Sequence, residues 1–272
     1  MKKFSKKKLK SFNEISISHT NPTLYEIDIS QGYKLNILAR IQPRSEFIVV
    51  LFNAAKGNNT IEYPQFMRWS WAEKAGFSYI VIEDILTNPL SSTNIGWYIG
   101  INNLDLQSLI CNMCENILSR LELSREKLLF YGSSGGGYAS LISATRLSGS
   151  TAIVVNPQTN VLNYSERLRK NFIYEFGENE NTIKERFMHR FSVLEAMDYF
   201  GNVPKVLYRQ NIQDKSHLDL HYKPFKEKYA GCCDEEMFYV NNLNVILYDD
   251  PKGHSSVSSY DLFIQDIESI YN

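Results

Sequence analysis

The sequence predicts an α/β fold, with a mainly parallel sheet and helices on both of its faces. Short apolar runs rich in β-branched and aromatic residues alternate along the chain with segments of helical periodicity, which is the pattern of such a sheet. Some of these runs, such as residues 47–52 and 128–131, are apolar throughout. Unbroken apolar runs are typical of strands covered on both sides, because every side chain of such a strand is buried.

The apolar runs predict eight strands. They lie near residues 24–28, 33–40, 46–52, 78–83, 127–131, 151–155, 204–209 and 244–248. The first two lie close together and alternate in polarity, so we expect them to form an antiparallel hairpin at the edge of the sheet.

Helical periodicity predicts seven helices between and after the strands. They lie near residues 64–75, 105–123, 136–147, 159–170, 181–190, 216–229 and 256–270. Residues 157–203 contain helical patterns but no clear strand. A segment of that length between two strands is most simply an inserted element, so we expect a small helical cap there.

The composition is that of a globular protein. The 272 residues are 43% hydrophobic and 22% charged. We expect a basic N-terminal extension over residues 1–20 and a single domain over residues 21–272. A net charge of −1 provides no overall field for binding nucleic acid. Neither a signal-peptide core nor an apolar run of about 18 residues is found, so a cytoplasmic location is expected. The N-terminal lysines could contact the inner face of a membrane, although a solvated tail is the favoured interpretation.

The four cysteines do not predict a metal or redox site. Cys111 and Cys114 have the C-x-x-C spacing but lie in a helical pattern that puts Cys114 on the buried stripe, so packing is the favoured interpretation. Cys232 and Cys233 lie in a polar stretch without a nearby histidine. This use of cysteine fits a reducing compartment.

A glycine-rich turn carries the strongest chemical signal. Residues 132–136 read Gly-Ser-Ser-Gly-Gly, follow an apolar strand and precede a helix, which matches the G-x-S-x-G motif with Ser134 at its centre. The turn is so sharp that Gly132 and Gly136, two positions to either side, must be small. Ser134 is therefore the predicted nucleophile, at a helix N-terminus that favours negative charge. A phosphate-binding glycine loop is the alternative, but no lysine follows as in a P-loop.

A serine hydroxyl needs a base before it becomes nucleophilic at neutral pH. His254 follows the last predicted strand and is the predicted base. The other histidines fit this role less well because of their positions before the sheet, in the cap or in a helical segment: His19, His189, His217 and His221.

Asp214 follows the penultimate predicted strand and is the predicted acid. It could instead cap the helix that follows, because aspartate is favoured at helix N-termini. Three further aspartates are alternatives for the acid: Asp219, Asp249 and Asp250. The chain order Ser134, Asp214, His254 is that of the α/β-hydrolases, and we therefore predict the α/β-hydrolase fold.

Acyl transfer also needs donors for the oxyanion that forms on the substrate. We predict that one is the backbone N–H of Gly135, the residue after the nucleophile, and the other that of Ala54, in the loop after the strand at 46–52. In this mechanism His254 removes the proton of Ser134, Asp214 orients the imidazole, and an acyl-serine forms.

Four short stretches resemble one enzyme family. They are Gly132-Ser133-Ser134-x-Gly136-Gly137, Val154-Val155-Asn156-Pro157-Gln158, Asp214-Lys-Ser-His217-Leu218 and Gly253-His254. Together they resemble the α/β-hydrolase-fold O-acetyltransferases of bacterial capsular polysaccharide synthesis, over roughly residues 45–270. Gly135 stands where that family has a lysine. The resemblance implies acetyl-CoA as the donor, with no permanently bound cofactor, and a glycan hydroxyl as the acceptor, acetylated on the cytoplasmic side.

The residues by themselves predict a serine acyl-enzyme and leave its acceptor open. A carboxylesterase or deacetylase is the main alternative, a peptide hydrolase fits the three residues equally, and a catalytically silent component of a glycan synthesis or export assembly is a further possibility. Some aromatic side chains flank the predicted site. Core packing is the favoured interpretation over sugar stacking for these residues: Tyr63, Phe66, Trp69, Trp71, Trp97 and Tyr98.

Overall fold

The computed structural model describes residues 4–18, 21–56, 63–88, 91–232, 243–255 and 259–271. The strands of its main sheet are β1 (Ser5–Leu9), β2 (Thr23–Asp28), β3 (Lys34–Arg40), β4 (Ile48–Phe52), β5 (Ser78–Ile82), β8 (Leu128–Ser133), β9 (Thr151–Val155), β10 (Lys205–Asn211) and β11 (Leu243–Tyr248). A separate short hairpin contains β6 (Gly100–Ile101) and β7 (Leu104–Asp105). The eight predicted strands are all present, within one or two residues at most ends.

The helices surround this sheet. They are α1 (Trp69–Lys74), α2 (Leu106–Leu121), α3 (Gly135–Arg146), α4 (Glu166–Phe176), α5 (Glu180–Arg186), α6 (Met188–Phe191), α7 (Val193–Phe200), α8 (Lys215–His217), α9 (Lys223–Cys232) and α10 (Tyr260–Glu268). A π-helical turn, Leu218–Tyr222, joins α8 to α9. The first predicted helix, at 64–75, begins only at Trp69, because Arg68 has a left-handed backbone with φ of 60°.

The main sheet has the strand order β1-β2-β3-β5-β4-β8-β9-β10-β11. The six strands from β5 to β11 in this order are parallel, and β3 pairs antiparallel with both β2 and β5. The predicted β2–β3 hairpin is therefore confirmed, but it does not lie at the very edge. The edge strand is β1, which pairs parallel with β2.

Part of the basic N-terminal segment, Ser5–Leu9, forms this edge strand, where we expected a solvated tail. Lys6 and Lys8 form salt bridges of 2.9 and 2.7 Å with Glu26 and Asp28 on β2. These carboxylates offset the lysine charges, which weakens the attraction of this segment toward an anionic membrane face, the alternative to the solvated tail. Within the described ranges no helix is long and apolar enough to cross a membrane.

The core lies on both faces of the sheet. Strands β4, β5, β8 and β9 are buried at every position, as their apolar sequences predicted. Helices α2 and α3 and the segment between β9 and β10 cover one face, and α1 and α10 cover the other. A buried ion pair with a distance of 2.7 Å between Arg209 Nε and Asp266 Oδ1 joins α10 to β10.

The segment predicted as a cap contains α4 to α7, all between β9 and β10. Its interior is a cluster of aromatic rings that includes Phe172, Phe176 and Phe191. Trp97 and Tyr98 are also fully buried, which excludes sugar stacking for these two aromatics.

The cysteine prediction is tested only for one pair. Cys111 and Cys114 are buried in α2, and burial raises the pKa of the Cys111 thiol to about 12. They pack as small apolar residues. The side chain of Cys232, and Cys233 as a whole, lie outside the described part of the chain.

Candidate active site

Ser134 forms the turn between a strand and a helix by itself. Strand β8 ends at Ser133 and α3 begins at Gly135, and Ser134 has φ of 53° and ψ of −120°, a conformation that side-chain-bearing residues rarely adopt. A Cβ atom on Gly132 would collide with the backbone carbonyl of Gly136. One on Gly136 would lie 2.6 Å from the carbonyl oxygen of Phe52. The strain and the close approaches are those of a nucleophile elbow.

The three residues predicted to carry the chemistry lie in one hydrogen-bonded line. His254 Nε2 is 3.0 Å from Ser134 Oγ, and His254 Nδ1 is 2.6 Å from Asp214 Oδ2. Asp214 and His254 occupy the loops after β10 and β11. Ser134 and Asp214 are buried, whereas the His254 side chain is 38% exposed, so the imidazole is accessible to solvent.

Asp214 is the helix N-cap and the partner of His254 at the same time. Its Oδ1 accepts from the backbone N–H of His217 at 3.3 Å and lies 3.1 Å from His217 Nδ1, while Oδ2 faces His254. Asp214 therefore fits both interpretations offered by the sequence, the acid next to His254 and the cap of the following helix. Burial disfavours the ionised carboxyl, but hydrogen bonds from His217 and His254 outweigh it and hold the pKa of Asp214 well below its usual range.

The three aspartates that were alternatives for the acid have partners other than His254. Asp219 forms a salt bridge with Lys223, Asp249 accepts from the side chain of Gln213, and Asp250 accepts from the backbone N–H of Lys252.

Gly135 and Ala54, the predicted oxyanion donors, line the same small cavity next to the turn. The loop that carries Ala54 is held by Asn53, whose backbone N–H donates to the hydroxyl of Tyr98 at 2.7 Å and whose Oδ1 accepts from the N–H of Met67 at 2.8 Å. These bonds hold the backbone just before Ala54.

Two polar side chains at the site were not predicted to take part. Gln158, in the loop after β9, has its Nε2 atom 2.9 Å from Ser134 Oγ and 2.9 Å from His217 Nε2. The His217 ring in turn stacks on that of His254, with 4.0 Å between the ring centres. Both residues occur in the stretches that carried the family resemblance, and polar residues just after a buried strand are the signal that could have drawn attention to Gln158.

Asn211 was also missed, and it joins the acid loop to the base loop. Its Nδ2 donates to the carbonyls of Asp250 and Gly253 at 2.8 Å each, and its Oδ1 accepts from the N–H of Gln213 at 3.1 Å. Asn211 ends β10, so one buried amide sets the spacing between the loops that carry Asp214 and His254.

Two further histidines that the structure describes, His189 and His221, have partners other than Ser134. His189 stacks on Tyr199 in the cap segment, with the ring centres 4.0 Å apart. His221 Nδ1 accepts from the backbone N–H of Thr159, and burial lowers the pKa of His221 to about 3, so that it is neutral. His19 lies outside the described residues.

Within the described ranges, one group of side chains is close enough together to bind a metal ion. Asp214, His217 and His254 each have one ligand atom within 4.8 Å of the others. Asp214 hydrogen-bonds to both histidines, which accounts for the closeness of the three side chains without an ion.

No protein-family model and no curated protein sequence matches the chain. Solved structures with a similar fold include the glycosylation-associated protein (Gap123) complex from Streptococcus agalactiae, with a TM-score of 0.64 and 13% identity over 90% of this chain. The match spans 45% of that chain, less than half of its length.

Two further similar structures match over nearly their whole length. The capsule O-acetyltransferase of Neisseria meningitidis serogroup A has a TM-score of 0.63 and 14% identity over 90% of this chain and 97% of that one, and a variant of that enzyme in complex with CoA has a TM-score of 0.66. An S-formylglutathione hydrolase from Agrobacterium tumefaciens has a TM-score of 0.61 and 12% identity, over 94% and 97% of the two chains. At such identities the likeness establishes the fold, which is the predicted α/β-hydrolase fold.

Proposed function

We propose that this protein catalyses acyl transfer through an acyl-enzyme on Ser134, with His254 as the base and Asp214 as the acid that orients it. The observation that carries the proposal is the continuous hydrogen-bonded line from Ser134 Oγ through the imidazole to the carboxylate. The strained backbone of Ser134 adds support, because such strain persists where a function requires the geometry.

The first half-reaction acylates the serine. His254 Nε2 takes the proton of Ser134 as Oγ attacks the acyl carbon, and the imidazolium that forms is stabilised by the Asp214 carboxylate. The tetrahedral oxyanion accepts hydrogen bonds from the backbone N–H groups of Gly135 and Ala54. As the bond to the leaving group breaks, His254 returns its proton to that group.

The second half-reaction passes the acyl group to an acceptor. His254 removes the proton of an acceptor hydroxyl, which attacks the acyl-serine, and collapse of the second tetrahedral intermediate restores the hydroxyl of Ser134. Whether water or another hydroxyl reacts depends on how the acceptor is bound and how far water is excluded.

Within this chemistry we favour O-acetylation of a bacterial surface or capsular polysaccharide, with acetyl-CoA as the donor. The motif resemblance supports this choice, and so does the similarity to a capsule O-acetyltransferase, a mutant of which has been solved in complex with CoA. Acetyl-CoA is an intracellular metabolite, so the reaction suits a cytoplasmic location. Hydrolysis of small esters is the second candidate, supported by the similarity to S-formylglutathione hydrolase.

The test compares the wild-type protein with Ser134→Ala in three mixtures: acetyl-CoA alone, acetyl-CoA with a panel of capsular oligosaccharides, and p-nitrophenyl acetate. We expect CoA release that depends on an oligosaccharide and is lost in Ser134→Ala. Ester cleavage without any acceptor dependence would favour the hydrolase instead. A wild-type protein that behaves like the variant in all three mixtures would favour a catalytically silent component and contradict the proposal.

A further inference from the structure

Five side chains at the site form a closed ring of hydrogen bonds. The ring runs from Ser134 through His254 and Asp214 to His217, and returns through Gln158 to Ser134, with links between 2.6 and 3.1 Å. The line from serine to carboxylate is one half of this ring. The other half, from Asp214 through His217 to Gln158, has no part in the mechanism described above.

The direction of each hydrogen bond in the second half follows from Trp97. The indole nitrogen can only donate, and it lies 3.1 Å from Gln158 Oε1. The amide of Gln158 therefore turns its NH₂ group toward the other two partners and donates one N–H to Ser134 Oγ and one to His217 Nε2. His217 must then accept at Nε2, so its proton is on Nδ1, where it donates to Asp214.

The position of Gln158 is fixed before any substrate arrives. Its side chain is fully buried, and its backbone N–H donates to the carbonyl of Ser134 at 3.3 Å. The next residue, Thr159, is bound to His221 through both its backbone N–H and its hydroxyl. An N–H group that is already aimed at the reacting oxygen needs no reorganisation during the reaction.

We propose that Gln158 is a further catalytic residue, whose side-chain N–H stabilises negative charge on Ser134 Oγ, and that His217 is a positioning residue that holds this amide in place. The proposal rests on the proposed function, because it assigns a role in reactions of Ser134. It differs from the oxyanion site, since Gly135 and Ala54 serve the oxygen of the substrate and Gln158 serves the oxygen of the enzyme.

The charge on Oγ arises twice in the reaction. During acylation the Oγ–H bond breaks, the proton moves to His254 Nε2, and electron density on Oγ rises before the new bond to the acyl carbon is complete. During deacylation the bond between Oγ and the acyl carbon breaks, its electron pair returns to Oγ, and His254 delivers the proton. The N–H of Gln158 donates to Oγ at both points and itself gives up no proton.

The first test measures the reactivity of Ser134 in Gln158→Met and Gln158→Glu. Methionine keeps the length of the side chain without any N–H, and glutamate keeps the acceptor for Trp97 but cannot donate as a carboxylate. We expect the acylation rate constant with p-nitrophenyl acetate at saturation, and the labelling rate of Ser134 by a fluorophosphonate, to fall roughly ten- to a hundredfold. The apparent dissociation constant of the ester should stay within about twofold, because only a charge-bearing state is affected.

Gln107→Met is the matched control. Gln107 is also buried, and its side chain binds the hydroxyl of another serine, Ser143, at 2.9 Å. We expect this variant to lose thermal stability as Gln158→Met does while keeping the wild-type acylation rate. Equal losses of rate in Gln107→Met and Gln158→Met would overturn the proposal. The loss of any buried glutamine from the core would then be enough to explain the slower reaction.

The second test asks whether His217 acts through Gln158. His217→Ala should slow acylation about tenfold in the wild-type background but at most about threefold when Gln158 is already methionine. If the double variant is slowed by the product of the two single-variant factors, His217 does not act through Gln158 and its positioning role is overturned.

The outcomes separate this inference from the proposed function. If wild-type Ser134 reacts with neither reagent, the proposed function fails and the inference falls with it. If wild-type Ser134 reacts and both Gln158 variants react equally fast, the proposed function stands and only the role of Gln158 is rejected.

Discussion

The imidazole rings of His217 and His254 lie stacked, with their centres 4.0 Å apart and 20° between their planes, and both bind the carboxylate of Asp214. Two cationic rings at this distance would repel each other strongly. Burial lowers the pKa of His217, which keeps that ring neutral. The negative charge of Asp214 is therefore left to stabilise a proton on His254, the ring that faces Ser134.

Asp214→Asn is expected to lower kcat by about 10⁴-fold, because an amide in place of the carboxylate neither stabilises the imidazolium nor fixes the tautomer of His254. Steady-state rates with p-nitrophenyl acetate, together with circular dichroism to confirm folding, measure the effect. The control is Asp219→Asn, which removes an exposed salt bridge to Lys223 and should change kcat less than twofold. The reverse pattern would reassign the acid to Asp219.

The eight predicted strands could be located closely because burial stabilises them, and a buried strand shows in the sequence as a run of apolar residues. Residues 151–155 were predicted as a strand and form β9, since burial on both faces requires an unbroken apolar run. Strand β1 was not predicted, because three of its five residues are lysines and it is held by pairing and ion pairs with β2 instead of burial.

The site was predicted in part for a similar reason. Ser134, Asp214 and His254 each follow a strand, and in this fold the loops after the parallel strands meet at the carboxyl ends of those strands. Gln158 and His217 could not be assigned a role, since the contact between them joins side chains 59 residues apart, one in the loop after β9 and one in α8. Only the folded chain shows that Trp97 orients the amide between them.

Asn211→Asp is expected to lower kcat by about 10²-fold, because small displacements of catalytic groups cost that much and the new carboxylate would repel the carbonyls of Asp250 and Gly253. The free energy of unfolding should fall by roughly 1–3 kcal/mol for each carbonyl left without a donor. Asn202→Asp is the control, since Asn202 also donates to two carbonyls, those of Ala144 and Thr145. Urea denaturation should show similar losses of stability in both variants, and only Asn211→Asp should lose activity.

Gly136→Ala is expected to disrupt the predicted oxyanion loop. The added Cβ would lie 2.6 Å from the carbonyl oxygen of Phe52 and 2.8 Å from that of Asn53, the two residues before Ala54. We expect a loss of roughly 1–3 kcal/mol in the free energy of unfolding together with a loss of most of the activity. Gly76→Ala provides the contrast, because Gly76 has φ of 76° in open space and should lose only roughly 1–2 kcal/mol, with kcat unchanged. Full activity in folded Gly136→Ala would argue against Ala54 as a donor.

Glu83 should make the stability of the protein depend on pH. Its carboxyl lies at the end of β5, where it accepts from the backbone N–H of Gln65 at 2.9 Å and from the side chain of Asn36 at 3.1 Å. Burial raises the pKa of Glu83 to about 7, from an ordinary value of 4.5. The folded protein therefore keeps this proton to a higher pH than the unfolded chain does.

The sign of the effect follows from that difference. A carboxyl with a raised pKa in the folded state destabilises the fold as pH increases from about 4.5 to 7, and it has no further effect above that range. At about 1.4 kcal/mol for each pKa unit, the loss reaches about 3 kcal/mol. Glu83→Gln removes this titration, so between pH 5 and pH 8 the free energy of unfolding of the variant should increase relative to wild type by nearly this amount. Urea denaturation of both proteins at several pH values measures the difference, and a constant difference across the range would contradict the raised pKa.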